Sequence, residues 1–289
     1  MTGQKLVAKL SQTRAALKKI WGHNGTIGNA FRVGDVTVDR CRALAGFHKP
    51  ALTKAGRVSV AGYLDDGQKV KLYNAFTSKQ VALRVAISSI DPTPSLFFPA
   101  LLAYDDTYLV EEWIDGVPLN SLTNDEAQSF KPQVEAFLTA CQSQPSCLTL
   151  AAMHADAFCY VHDYLLPRLQ PWRQWRPVEK LLAHWADVNS RVALQLPIRL
   201  SHPDLSLANL VVQKNTGKLY VIDNELLGVG PGWLLDRKNS MLKKQHDVGR
   251  TDDEAQRYAA LTWSLRLVGA ALDAGDFDGA MLRAKAACP

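Results

Sequence analysis

The hydrophobic periodicity of this chain changes once, near residue 113, and that change limits it to a two-part architecture. From Gly56 onward apolar residues alternate with polar ones. Val58 and Val60, then the run Gln68-Lys69-Val70-Lys71-Leu72-Tyr73, read as two strands, with Asp65-Asp66-Gly67 as the turn between them. Residues 78–90 read as a helix. Ala100 to Tyr104 and Thr107 to Trp113 read as a second strand pair, turned at Asp105-Asp106. After Gly116 the pattern is helical. Thr123-Asn124-Asp125-Glu126 is a capping box that opens a helix to about Cys141. Further helices are expected over about 148–166 and 177–192, and from about 252 to the end. They are interrupted only by two short strands, 209–213 and 219–222. Residues 3–20 read as a basic helix with a loose apolar stripe of Leu6, Leu10, Leu17 and Ile20. The expected fold is α+β and two-lobed. A β-rich part spans 1–112, with the basic helix within 1–22, and a mainly helical part spans 113–289.

The most informative segment lies around those two short strands. His202-Pro203-Asp204 is followed five residues later by Asn209, at the mouth of an apolar strand. The second strand, Leu219-Tyr220-Val221-Ile222, ends in Asp223-Asn224-Glu225. Phosphoryl transfer uses these residue types. One carboxylate accepts or orients the proton of an attacking hydroxyl, while an amide oxygen and a second carboxylate hold Mg²⁺ against nucleotide phosphates. A loop between helix and hairpin presents all three at one mouth.

On these residues the chain resembles the aminoglycoside phosphotransferase/choline kinase family, a branch of the protein-kinase-like superfamily. Its catalytic motif, His-x-Asp then four residues then Asn, is matched by His202, Asp204 and Asn209. Its metal motif, Ile-Asp-x-Glu, is matched by Ile222-Asp223-Asn224-Glu225, and Asp236 stands where a further Asp often follows. The resemblance implies a two-lobed kinase-like fold, with Asp204 as catalytic base and Asn209 and Asp223 as Mg²⁺ ligands. In the same way Gly56-Arg57-Val58-Ser59 resembles a short nucleotide loop, implying Gly56 and Ser59 at the phosphates. Lys71 resembles the strand lysine that contacts ATP. Glu112, Trp113 and Ile114, within Leu109 to Leu119, resemble the hinge whose backbone binds adenine. The implied cofactors are ATP and Mg²⁺. One feature departs from the pattern. Protein kinases pair the strand lysine with a Glu on the next helix, yet no Asp or Glu occurs between Gly67 and Ile90, and Gln80 is a poor substitute.

Composition and charge narrow the reading. At 289 residues with 47% hydrophobic and 21% charged residues, the chain is neither a disordered tail nor a coiled coil. The longest apolar stretch, Leu96 to Tyr104, is about half of the roughly 20 residues a spanning helix needs. The first twenty residues hold no continuous apolar core of a signal peptide. Five scattered cysteines, Cys41, Cys141, Cys147, Cys159 and Cys288, fit a reducing, cytoplasmic setting. Residues 1–60 hold eleven Lys and Arg against two acids, Asp35 and Asp39. That suggests peripheral contact of residues 1–20 with an anionic membrane face, or a solvated helix. A nucleic-acid partner for this basic end is disfavoured.

Other constellations carry less. Ser201, His202 and Asp204 are too close in sequence to form a hydrolase triad, and no Gly-x-Ser-x-Gly elbow exists. Cys147, His154, Cys159 and His162 spread around one helical stretch and do not enclose a metal. Trp172-Arg173-Gln174-Trp175-Arg176 either stacks a ligand or folds its indoles inward, the latter favoured. His162-Asp163 lacks an Asn partner and reads as surface. The expected function is ATP- and Mg²⁺-dependent phosphorylation of a hydroxyl on a small molecule or glycan. An anionic acceptor, such as an envelope sugar of lipopolysaccharide type, suits the near-neutral back half and its basic 164–191 stretch. The alternative is a pseudokinase or nucleotide-binding module without transfer, favoured by the missing helix acid.

Overall fold

The structure, a computed structural model, describes residues 30–44, 58–90, 96–192, 197–231 and 254–288. The basic helix expected over 3–20, Gly56 and Asp236 lie outside the described residues.

The front of the molecule is a six-stranded antiparallel sheet. Its strands are β1 (Phe31–Val33), β2 (Val36–Ala43), β3 (Ser59–Tyr63), β4 (Lys69–Asn74), β6 (Leu101–Tyr104) and β7 (Tyr108–Glu112), in the order β1-β2-β3-β4-β7-β6. The expected hairpin forms as read: Gly67, at φ +85°, closes the β3–β4 turn and donates to the Leu64 carbonyl at 2.9 Å. The β1–β2 hairpin was not expected, although Phe31, Val33, Val36 and Val38 alternate with polar residues around Gly34-Asp35, with Gly34 at φ +57°. Beyond it the β2–β3 register shifts between Asp39 and Arg42, where Arg40 stands at φ +47°.

Pleating sorts this sheet into two faces. Val60, Val70, Leu72 and Val110 pack on one side. In register across β3, β4 and β7, Ser59 and Ala61, Lys71 and Tyr73, and Leu109 and Glu111 share the other. Helix α1 (Ser78–Ile87), capped by the Thr77 hydroxyl, lies on that second face. Its Leu83 and Ile87 continue into the core of the helical part, alongside Phe137 and Leu150.

Strand β5 (Leu96–Phe97) leaves this sheet and joins the second one, in the order β5-β11-β10-β8, with β8 (Gly116–Pro118), β10 (Leu210–Gln213) and β11 (Leu219–Val221). Gly116 is required there: a Cβ would stand 2.3 Å from the Val212 carbonyl oxygen. A two-stranded ribbon pairs β9 (Ile198–Ser201) with β12 (Gly228–Pro231).

The helical part differs from expectation at two joints. The helix expected to run from the capping box to Cys141 is two, α2 (Asn124–Ser129) and α3 (Lys131–Ser143), broken at Phe130 ahead of Pro132. The helix expected over 148–166 is also interrupted. Helix α4 (Pro145–Met153) stops, and a π-helical turn, Tyr160–Leu165, restarts the chain into the short helix Leu166–Leu169. Between them the Ala157 carbonyl accepts from Thr77 and the Phe158 carbonyl from the Val229 amide, bonds an unbroken helix would forbid. Helices α5 (Arg176–Val192), α6 (Glu254–Asp273) and α7 (Phe277–Ala287) form a second core around Leu181, Val188, Leu265 and Val268. Trp172 and Trp175 fold onto Phe277, as the inward reading expected. His162 and Asp163 are exposed. Among the described residues no helix is long and apolar enough to cross a membrane.

Candidate active site

Strand β9 delivers the chain to a tight loop in which the Leu205 amide donates to the His202 carbonyl and the Asn209 amide to that of Ser206. The Asn209 amide group closes this loop, donating to the Asp204 backbone oxygen at 2.7 Å and to its carboxylate at 3.4 Å. The β10–β11 hairpin then returns the chain, and the Ile222 amide donates to the Asn209 carbonyl at 2.9 Å. Asp223 follows at φ 62°, ψ 48°, a left-handed conformation that Asp tolerates better than most side chains and that turns the chain at once into the 3₁₀ turn Asn224–Leu226. Asp204, Asn209 and Asp223 thus converge because the hairpin is short and its two ends are bonded to each other.

Lys71 reaches this mouth from β4. Its ammonium lies 2.7 Å from Asp223 Oδ1 and 3.2 Å from Glu225 Oε1. Burial opposes its charge, but Glu225 and Asp223 outweigh that, and its pKa stands above the ordinary lysine range. The lysine has acid partners after all, from the turn after β11 and not from α1. Helix α1 contributes otherwise. Gln80 Nε2 donates to the carbonyls of Glu225 and Leu227. Arg84 forms a buried pair with Glu111 of β7, Nε to Oε1 at 2.7 Å, and donates to the Pro99 carbonyl. Glu111 also accepts from the Tyr73 hydroxyl and the Asn224 amide, and Asn224 meets His202 Nε2 at 3.2 Å. Burial, and then the Glu111 charge, push the Tyr73 hydroxyl well above its ordinary pKa, so it serves as a donor.

Asp204 has a partner that sequence reasoning did not find. Arg266 of α6 pairs with its Oδ1 and also donates to the Pro203 carbonyl at 2.8 Å and the Tyr160 hydroxyl at 3.1 Å. Nothing in the sequence near Arg266 marks it, since it lies 62 positions from Asp204 in an otherwise ordinary helix. Arg84 and Glu111 did leave a signal. Arg84 sits on the apolar phase of α1 with Val81 and Ile87, and Glu111 occupies an inward position of a hydrophobic strand.

Ser59 is buried at the start of β3, on the face of Lys71. Glu112 and Trp113 use their backbone amides on the Ala100 and Lys69 carbonyls, and Ile114 is buried in the segment that leads to β8. The Lys69 ammonium sits 3.7 Å above the Trp113 ring.

The donor set suits a divalent cation. Lys71 and Arg84 face Asp223, Glu225 and Glu111, a cluster with one negative charge in excess, and Asp223 and Asn209 offer the oxygen ligands a hard cation takes.

No family model matches this sequence, and no curated protein matches it. Solved structures do. A thermostable mutant of the aminoglycoside phosphotransferase APH(4)-Ia, in its apo form, superposes over 87% of this chain and 94% of its own, with a TM-score of 0.54 at 15% identity. The same enzyme in a ternary complex with ADP and hygromycin B covers 96% of this chain and 97% of its own, with a TM-score of 0.50 at 14% identity. The GDP and kanamycin complex of APH(2")-IIia covers 96% of this chain and 99% of its own, with a TM-score of 0.53 at 12% identity.

The fold is that of the aminoglycoside phosphotransferases. Within this kinase-like fold the β-rich sheet stands in front, the largely helical part behind, and the Lys71–Asp223 contact bridges them.

Proposed function

We propose that this protein is a phosphotransferase that moves the γ-phosphoryl group of ATP to a hydroxyl of a small molecule. The observation that carries this is the meeting of Lys71 with Asp223 at the mouth that also holds Asn209 and Asp204. The nucleotides and small molecules bound by the solved neighbours support the same class of reaction. The pseudokinase alternative rested on a lysine without an acid, and Lys71 has two.

In this reading Asp204 takes the proton of the acceptor hydroxyl as its oxygen bonds to the γ-phosphorus and ADP leaves. Arg266 and Asn209 hold the Asp204 carboxylate in place. Lys71 steadies the phosphates, with Gly56 and Ser59 flanking them, and the segment Glu112–Ile114 receives adenine. Asn209 and Asp223 would hold Mg²⁺, which when bound neutralises charge on the phosphates. The lobes divide between residues 112 and 113. Charge guides the acceptor assignment. The cationic Arg266 beside Asp204, and five basic against two acidic residues over 164–191, disfavour a polycation and suit an anionic sugar or glycan, an envelope sugar among them.

Two experiments test this. Labelled ATP offered with a panel of hydroxylated acceptors should yield a phosphorylated product, and transfer to none of them, with no release of phosphate, would end the reading. Asp223→Ala should lose the thermal stabilisation that Mg·ATP gives the wild type, and an unchanged shift would remove Asp223 from the metal.

Residues 1–20, with Lys5, Lys9, Arg14, Lys18 and Lys19 and no acid, would bring the protein to an anionic membrane face, each basic residue contributing roughly 1 kcal/mol. Deleting them should abolish sedimentation with phosphatidylserine vesicles and leave nucleotide binding intact. Vesicle binding that survives the deletion, or that is absent in the full chain, would exclude this role.

A further inference from the structure

The two carboxylates that hold Lys71 are adjacent in sequence yet differ in their surroundings. The Asp223 side chain is 31% exposed, and that of Glu225 only 3%. Asp223 therefore faces the mouth, where a hard cation would meet it, and Glu225 lies beneath the ammonium. We propose that Glu225 is the permanent counter-ion of Lys71 through turnover. It is a positioning residue that does from the C-terminal side what a helix glutamate does in protein kinases. The inference rests on the phosphotransferase reading and names a function for a residue which that reading leaves idle.

Three observations support it. Helix α1 has no acid to offer, and its two inward polar side chains are committed elsewhere, Arg84 to Glu111 and Gln80 to backbone carbonyls. One of those carbonyls belongs to Glu225 itself, at 3.1 Å from Gln80 Nε2. The helix thus acts on the lysine at one remove, by fixing the backbone of its acid. The charges also require it. When Asp223 turns to a metal, a Lys71 side chain only 12% exposed needs another carboxylate close by, because an unpaired buried charge is costly. Glu225 is that carboxylate, and Asn224, bonded to both Glu111 and His202, keeps the turn from shifting as Asp223 changes partner.

The test is a double-mutant cycle read by calorimetric titration of the full chain with Mg·ATP and, separately, with adenosine. Glu225→Gln should weaken Mg·ATP binding by about tenfold or more and leave adenosine binding unchanged. In a Lys71→Met background the same substitution should change Mg·ATP affinity by less than about twofold, because the partner it positions is gone. Glu225→Asp, which keeps the charge on a shorter stem, should recover part of the affinity, and it carries the comparison if the Gln variant unfolds. An equal loss in both backgrounds would overturn the proposal and assign Glu225 to the metal. A loss of adenosine binding as well would reduce it to a structural residue. A wild-type chain that binds no Mg·ATP would fail the phosphotransferase reading itself, before any variant is compared.

Discussion

Replacing Asp204 by Asn is expected to lower turnover by about 10²–10⁴-fold while leaving folding and Mg·ATP binding nearly unchanged. The carboxamide keeps an oxygen for the Arg266 guanidinium and the same length of stem, and the 2.7 Å bond from Asn209 to the backbone oxygen of residue 204 is untouched, so only the weaker 3.4 Å bond to the carboxylate is given up. What it loses is the ability to take a proton. Steady-state kinetics on an identified acceptor, alongside nucleotide titration, check this. A variant that transfers phosphate at the wild-type rate would exclude Asp204 as the base, and one that no longer folds would show that its charge serves Arg266 first.

The largest effect on stability is expected at the other buried pair. Arg84→Met should cost about 3–5 kcal/mol, because Glu111 would keep its charge in the core without the guanidinium that balances it. Both side chains are almost wholly enclosed, at 3% and 1% exposure, so water cannot replace the lost partner. Urea denaturation of the two proteins measures it. Replacing both residues, as Arg84→Met with Glu111→Leu, should return a large part of the loss, since removing a buried pair together is far cheaper than orphaning one half. A single variant that loses less than about 1 kcal/mol would mean that Tyr73 and Asn224 satisfy Glu111 by themselves.

What the sequence disclosed and what it withheld follow from distance along the chain. The 201–225 segment was readable because its parts are local: one loop, one hairpin and one turn, each with its own residue preferences. Lys71 was readable as a strand lysine. Its partners were not, because the protein-kinase pattern places the acid on the next helix, while these acids stand 152 and more residues away. Arg266 was invisible for the same reason. The joint between α4 and the π-helical turn was hidden by tertiary bonds that compete with helix, a case in which the surroundings override a local pattern. The β1–β2 hairpin was not hidden in this way, since Phe31, Val33, Val36 and Val38 alternate around Gly34-Asp35. Gly56 and residues 1–20 were read from sequence, and their placement lies outside the described residues.

The excursion of β5 has a mechanical consequence. The chain passes between the front sheet and the hairpin sheet three times: on the way into β5, back through residues 98–100 into β6, and through 113–115 into β8. Two bodies joined by a single strand swivel about it freely. Two of these joints, 98–100 and 113–115, start side by side, because the Glu112 amide donates to the Ala100 carbonyl. Joints paired in this way resist torsion, so any relative movement of the two sheets would be a swing that keeps Lys71 in line with the turn at Asp223.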